Sequence, residues 1–97
     1  MKPSISLANH RDQVRAILQD FGLSNPRLFG SAARSADHDS SDLDVLVDAA
    51  PDTSLYHLAA AEIALEALLG CKVELMTAGF LAPDVAARAQ ADLVPIR

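Results

Sequence analysis

Within the segment Asp42–Asp48, DLDVLVD, the aliphatics Leu43, Val45 and Val47 take every second position, and Asp42 and Asp44 alternate with them. Side chains on a strand alternate between its two faces, so this is a half-buried strand with aliphatics toward a core and both carboxylates on the other side. A single strand with one apolar face cannot stand alone. The chain must therefore supply partner strands and a covering layer. Across two strand rises the Cα atoms of Asp42 and Asp44 lie roughly 6.5–7 Å apart. Carboxylates so placed can converge on divalent metals about 3.5–4 Å apart, the arrangement that serves in-line displacement at phosphorus. An outward-facing acidic strand edge is the plainer alternative for the pair taken by itself.

Ten residues upstream stands Gly30-Ser31, at the end of a short expected strand, Arg27–Phe29. Glycine lets the backbone approach a phosphate, and a helical turn after it, Ala32–Ser35, points free N–H groups at the anion. The Ser31 hydroxyl can donate to a phosphate oxygen, and Arg34 can neutralise triphosphate charge. Gly-Ser turns are common. The fixed relation to Asp42-x-Asp44 gives this one its information.

The surrounding pattern reads as one domain over residues 1–97, with no repeat or linker. A helix is expected over residues 8–21, capped by Asn9 and stopped by Gly22, with Val14, Ile17, Leu18 and Phe21 on one face. Residues 36–41 form a polar loop, and Pro51-Asp52 marks a turn. A long helix follows over 54–69, closed by Gly70, then a strand over 71–76 and a turn at 77–79. Pro83 opens a last helix to about Asp92, and residues 93–96 add a terminal strand. This order describes an α/β (α+β) fold, a small mixed sheet with helices packed against it.

The strand Cys71–Met76 carries one acidic residue, Glu74. A buried carboxylate without a partner is costly, which favours a place for Glu74 at the site, as a third metal ligand or a general base. A solvent-facing edge strand is the alternative. The long helix has only Glu62 and Glu66 as formal charges between Leu55 and Leu69. Helices that are apolar nearly all round bury more than one side, and here one side is expected to meet a partner subunit, with Leu58 and Leu65 on that face. Tyr56 reads as a helix packing residue.

Composition closes off several functions. The formal charge is -5, with eight Lys and Arg spread along the chain, so a basic surface for nucleic acid is not expected. Aromatics are 4%, too few for stacking on single strands. Asp37, Asp39, Asp42, Asp44 and Asp48 crowd one stretch, where a cation would relieve repulsion; a solvated acidic loop accounts equally for Asp37 and Asp39. The lone Cys71 excludes an internal disulfide and reads as an inert core thiol. His10, His38 and His57 lack metal-ligand spacing. No stretch reaches the ~20 apolar residues of a membrane span, and no signal segment is evident, so the cytoplasm is the expected location.

The stretch LFGSAARSADHDSSDLDVLVD resembles the signature of the DNA-polymerase-β-like nucleotidyltransferases. More narrowly, it is similar to the minimal MNT-type domains, the MntA-like antitoxins. Gly30, Ser31, Asp42, Asp44 and Glu74 fall at the positions of that pattern, and the flanking helices match in order. The resemblance implies the minimal nucleotidyltransferase fold. It also implies an antitoxin that transfers AMP from ATP, with Mg²⁺ in a two-metal site, to a tyrosine of a small all-helical HEPN-type ribonuclease toxin, and that binds this toxin in a hetero-oligomer. Asp42, Asp44 and Glu74 would then be catalytic metal ligands, and Gly30, Ser31 and Arg34 the nucleotide-binding residues. Ser35 replaces a frequent glycine, and Glu74 replaces the commoner Asp, one methylene longer. The alternatives are an antitoxin that acts by binding alone, or the catalytic subunit of a small-molecule nucleotidyltransferase.

Overall fold

A computed structural model describes residues 2–30, 32–33, 36–77 and 94–96. Its elements run α1 (Pro3–Asn9), α2 (Arg11–Asp20), β1 (Leu23–Phe29), β2 (Leu43–Ala49), α3 (Leu55–Leu69), β3 (Val73–Met76) and β4 (Val94–Pro95). The expected helix over 83–92 falls outside the described residues.

The strands form one mixed sheet in the order β3-β2-β1-β4. β1 is antiparallel to β2 and β4, whereas β2 and β3 are parallel and joined through α3, as a parallel pair requires a crossover. Leu43, Val45 and Val47 of β2 and Val73 and Leu75 of β3 face one side. There they meet Leu7 of α1, Val14 and Leu18 of α2, and Leu58, Ala61, Leu65 and Leu69 of α3 in a single apolar core. The described helices thus cover one face of the sheet. Asp44, Asp48 and Glu74 stand on the other.

Near the N-terminus, two boundaries differ from the sequence expectation. The N-terminal helix is two helices that meet at His10, whose φ of -126° and ψ of 24° interrupt the turn. Asn9 is therefore the last residue of α1 and not a cap of α2. Pro3 starts α1 at a position where a missing N–H costs nothing, and Ser6, buried, donates its hydroxyl to the Leu69 carbonyl at 2.8 Å. β1 also begins earlier than Arg27. Its first half was hidden by Asn25-Pro26, where the register with β2 shifts and Asn25 takes φ 51°.

α3 is bounded as expected. The Ser54 hydroxyl accepts from the His57 N–H at 3.2 Å, and Gly70 ends the helix at φ 73°. The two charges of α3 have an unforeseen use. Glu66 Oε2 accepts from the Val73 N–H at 2.9 Å, and Glu62 Oε2 accepts from the Leu75 N–H at 2.8 Å. Both turn inward onto the free edge of β3, which leaves the outer face of α3 without charge.

That outer face corrects two expectations. Leu58 and Leu65 are 4% and 1% exposed and belong to the core, so neither can meet a partner. Tyr56, read as a packing residue, is 88% exposed, with Ile63 at 67%. The helix carries more apolar positions than its core-facing stripe can bury. Among the described residues, no helix is long and apolar enough to cross a membrane.

Candidate active site

The sheet places a row of residues across three strands on the face opposite the helices. Glu74 of β3 is the register partner of Asp44 of β2, which in turn opposes Phe29 of β1. Gly30 follows Phe29 with φ +75°, a left-handed conformation that glycine adopts without strain. A Cβ on Gly30 would stand 2.7 Å from Asp44 Oδ2, so the glycine clears the space that this carboxylate occupies. Ser31 and Arg34, the other expected phosphate contacts, lie outside the described residues. Ala32, just beyond, is buried in the core.

Asp44 and Glu74, separated in sequence by all of α3, are thus brought side by side. Burial first, then the neighbouring Glu74 through charge and hydrogen bonding, then Asp42, push the Asp44 carboxyl up to about 6. The carboxylate of Glu74 on the same row disfavours the ionised form of Asp44.

Asp42 differs from expectation. β2 begins at Leu43, whose N–H donates to the Lys72 carbonyl at 2.8 Å, so Asp42 precedes the ladder and is exposed. Strict face alternation does not reach it. Among the described residues, no three His, Cys, Asp or Glu side chains converge closely enough to hold a metal ion as they stand. The donor set nevertheless suits a hard divalent cation such as Mg²⁺, which takes oxygen ligands and fills its shell with water and phosphate. The crowding that raises Asp44 is the crowding a cation relieves.

The other aspartates of the stretch have separate tasks. Asp37, expected in a solvated loop, is 4% exposed. It accepts from the Ser4 N–H at 2.8 Å and the Ser4 hydroxyl at 2.9 Å, which ties the loop to the start of α1. Sequence pattern could not reveal this, because the partner lies 33 residues away. Asp48 pairs with Arg27 at 2.6 Å and accepts from Asn25 Nδ2 at 3.1 Å. His38 is exposed and bonded within its own loop, its N–H donating to Ser41 Oγ at 2.9 Å. Cys71 is half-buried, and burial, then Glu66, raises its thiol pKa, which makes it a poor nucleophile.

Known proteins resemble this chain in sequence and fold. A protein adenylyltransferase of Methanocaldococcus jannaschii is 32% identical over 71 residues, 73% of this chain and 76% of the relative. The protein adenylyltransferase MntA of Thermococcus cleftensis is 35% identical over 80 residues, 82% of this chain and 78% of the relative. Among solved structures, a minimal nucleotidyltransferase superposes with a TM-score of 0.83 at 32% identity, covering 95% of this chain and 94% of the other. A toxin–antitoxin structure with AMP-PNP has a TM-score of 0.78 at 20% identity, covering 90% of this chain and 72% of that one, and so shares the fold. Residues 10–94 match the nucleotidyltransferase domain family, and with that span, these identities and the common sheet the chain belongs to it, among its minimal members.

Proposed function

We propose that this protein is an antitoxin that transfers AMP from ATP to a tyrosine on a small, all-helical HEPN-type ribonuclease toxin, and that it holds this toxin in a complex. The observation that carries the reading is the register pairing of Asp44 with Glu74 beside Gly30, in a chain whose relatives are named protein adenylyltransferases.

Asp42, Asp44 and Glu74 are the residues that would hold Mg²⁺. When bound, the cation supplies charge neutralisation for the triphosphate and for the departing pyrophosphate. Gly30 clears the space that the Asp44 carboxylate occupies, and Ser31 and Arg34 would contact the triphosphate. The tyrosine oxygen forms the new bond to the α-phosphorus, while the bond to the pyrophosphate oxygen breaks. Glu74, as a metal ligand or as the base for the tyrosine proton, serves the same step. Positioning and charge neutralisation account for most of the rate in chemistry of this kind.

Incubation of the protein with its helical partner and Mg-ATP should add the mass of one AMP to the partner, on tyrosine. Asp42→Ala and Asp44→Ala should abolish the addition. An undiminished addition in both variants would sink the site.

A second reading, neutralisation by contact alone, is favoured by the uncharged outer face of α3, where Tyr56 and Ile63 stand exposed. In that case Asp42→Ala and Asp44→Ala would still block the toxin.

A further inference from the structure

Among the described residues, β3 is a short edge strand held by one ladder. It has four residues, lies at the end of the strand order, and pairs in parallel with β2 alone. Yet it carries Glu74. In a parallel ladder each residue directs its backbone groups to one side only. The Lys72 carbonyl accepts from Leu43, so Lys72, Glu74 and Met76 face β2, and the N–H groups of Val73 and Leu75 point to the open edge. Those two N–H groups flank Glu74, and they are the ones that Glu66 and Glu62 hold.

The match is geometric. Four helical residues rise about 6 Å, and two strand residues span about 6.6 Å. Glu62 and Glu66 on α3 are therefore spaced to meet alternate amides of a strand running the opposite way, and they are the only formal charges the helix spends.

We propose that Glu62 and Glu66 are positioning residues: they clamp the free edge of β3 so that Glu74 stays opposite Asp44. This rests on the reading of Asp44 and Glu74 as metal ligands. A one-residue slip of β3 would carry Glu74 into the core and bring Val73 and Leu75 out, and local fraying would loosen the carboxylate spacing. A cation with strict octahedral demands tolerates such loosening poorly. The clamp replaces the second ladder that an edge strand lacks.

The test uses the full chain with AMP-PNP and Mg²⁺, followed by NMR. Amide hydrogen exchange at Val73 and Leu75 reports the clamp, and a Mg²⁺ titration reports the site. Replacing both residues (Glu62→Ala with Glu66→Ala) should speed exchange at those two amides by at least about tenfold relative to α2 amides. The same variant should weaken Mg²⁺ binding by about tenfold. The conservative pair, Glu62→Gln with Glu66→Gln, keeps both acceptors and should stay within about twofold of the parent protein in each measurement. Should the double alanine variant not fold, Glu62→Ala alone gives the same comparison at Leu75.

Unchanged exchange at Val73 and Leu75 in the alanine variants would show that there is no clamp. Faster exchange with unchanged Mg²⁺ binding would reduce the two glutamates to edge protection and overturn the proposal. Glu74→Gln is measured alongside. If it binds Mg²⁺ like the parent protein, the metal-ligand reading itself fails, whatever Glu62 and Glu66 do.

Discussion

Gly30 and Asp44 occupy one space: an added Cβ on the glycine would lie 2.7 Å from the carboxylate oxygen Oδ2. Gly30 also sits at φ +75°, where an L side chain costs about 1–2 kcal/mol. Gly22 shares the backbone cost at φ +72° but has nothing within 4 Å of its Cβ position. The two glycines therefore separate conformation from contact. Gly22→Ala and Gly30→Ala should lose similar stability in thermal unfolding, about 1–2 kcal/mol each. Only Gly30→Ala should lose AMP transfer, by more than about tenfold, because its methyl displaces Asp44. Equal activity in the two variants would refute the contact.

Asp44 itself makes a stability prediction of unusual sign. Its carboxyl is raised from 3.8 to about 6 in the folded chain, so the native state binds the proton more tightly than the unfolded one. Stability of the metal-free protein is then highest when Asp44 is protonated and falls as pH rises from about 4 to about 6. Partial exposure to water screens the effect, leaving about 1 kcal/mol. Asp44→Asn should gain about that much stability at pH 7 without metal and should flatten this part of the pH profile. The same variant should lose AMP transfer. A melting temperature at pH 7 no higher than the parent's would contradict the crowded carboxylate row.

What the sequence disclosed follows from the range of each interaction. The β2 strand was legible because alternation is local, and α3 because Ser54 and Gly70 are chemically specific caps at its ends. α1 was not, since its buried face includes Ser6, whose satisfaction depends on the Leu69 carbonyl far along the chain. Nor was the first half of β1, where Asn25 and Pro26 imitate a turn and instead make a bulge. The carboxylates divide in the same way. Asp44 and Glu74 were picked out by strand position, and parallel register then paired them. Asp37, Glu62 and Glu66 bind backbone N–H groups of other elements, and no spacing in one chain segment encodes such a partner. In Glu62 and Glu66 a signal was present, as the sole charges of an apolar helix, but it did not name the amides they hold.

Asp37 is the hinge between the motif loop and α1. Burial alone would raise its carboxyl, but the Ser4 N–H and hydroxyl, with help from Lys2, hold it below the ordinary 3.8. A depressed carboxyl contributes stability above its unfolded value and loses it as pH falls through the lower folded one, so this contribution disappears below about pH 4. Asp37→Ala removes the acceptor from both Ser4 donors and should cost about 1–3 kcal/mol in denaturant unfolding. Asp37→Asn keeps one acceptor oxygen and should cost less, with the acid-side loss removed. If Asp37→Ala unfolds at the parent's denaturant midpoint, the tie between loop and α1 is not a stabilising one.

The exposed face of α3 gives the sharpest separation of stability from association. Tyr56, Ala60, Ile63 and Ala67 follow one another along the side of the helix that the core does not use, and none carries charge. Ile63 is 67% exposed, whereas Leu65, two residues on, is 1% exposed. Ile63→Glu should leave unfolding within about 0.5 kcal/mol of the parent, because surface changes away from special features are nearly neutral. Leu65→Glu buries an unpaired charge in the core and should prevent folding. If the proposed toxin docks on this face, Ile63→Glu should weaken the complex by about tenfold or more, since a charge placed in an apolar interface is left without water or a partner. AMP transfer by Ile63→Glu should then need more toxin to reach half its maximal rate, while that maximal rate holds, because Asp44 and Glu74 lie on the opposite side of the sheet from the core that α3 covers. Titration of the toxin with each variant by calorimetry decides the matter. An unaltered affinity in Ile63→Glu and in Tyr56→Glu would move the partner off this helix and onto the strand face that carries the carboxylates.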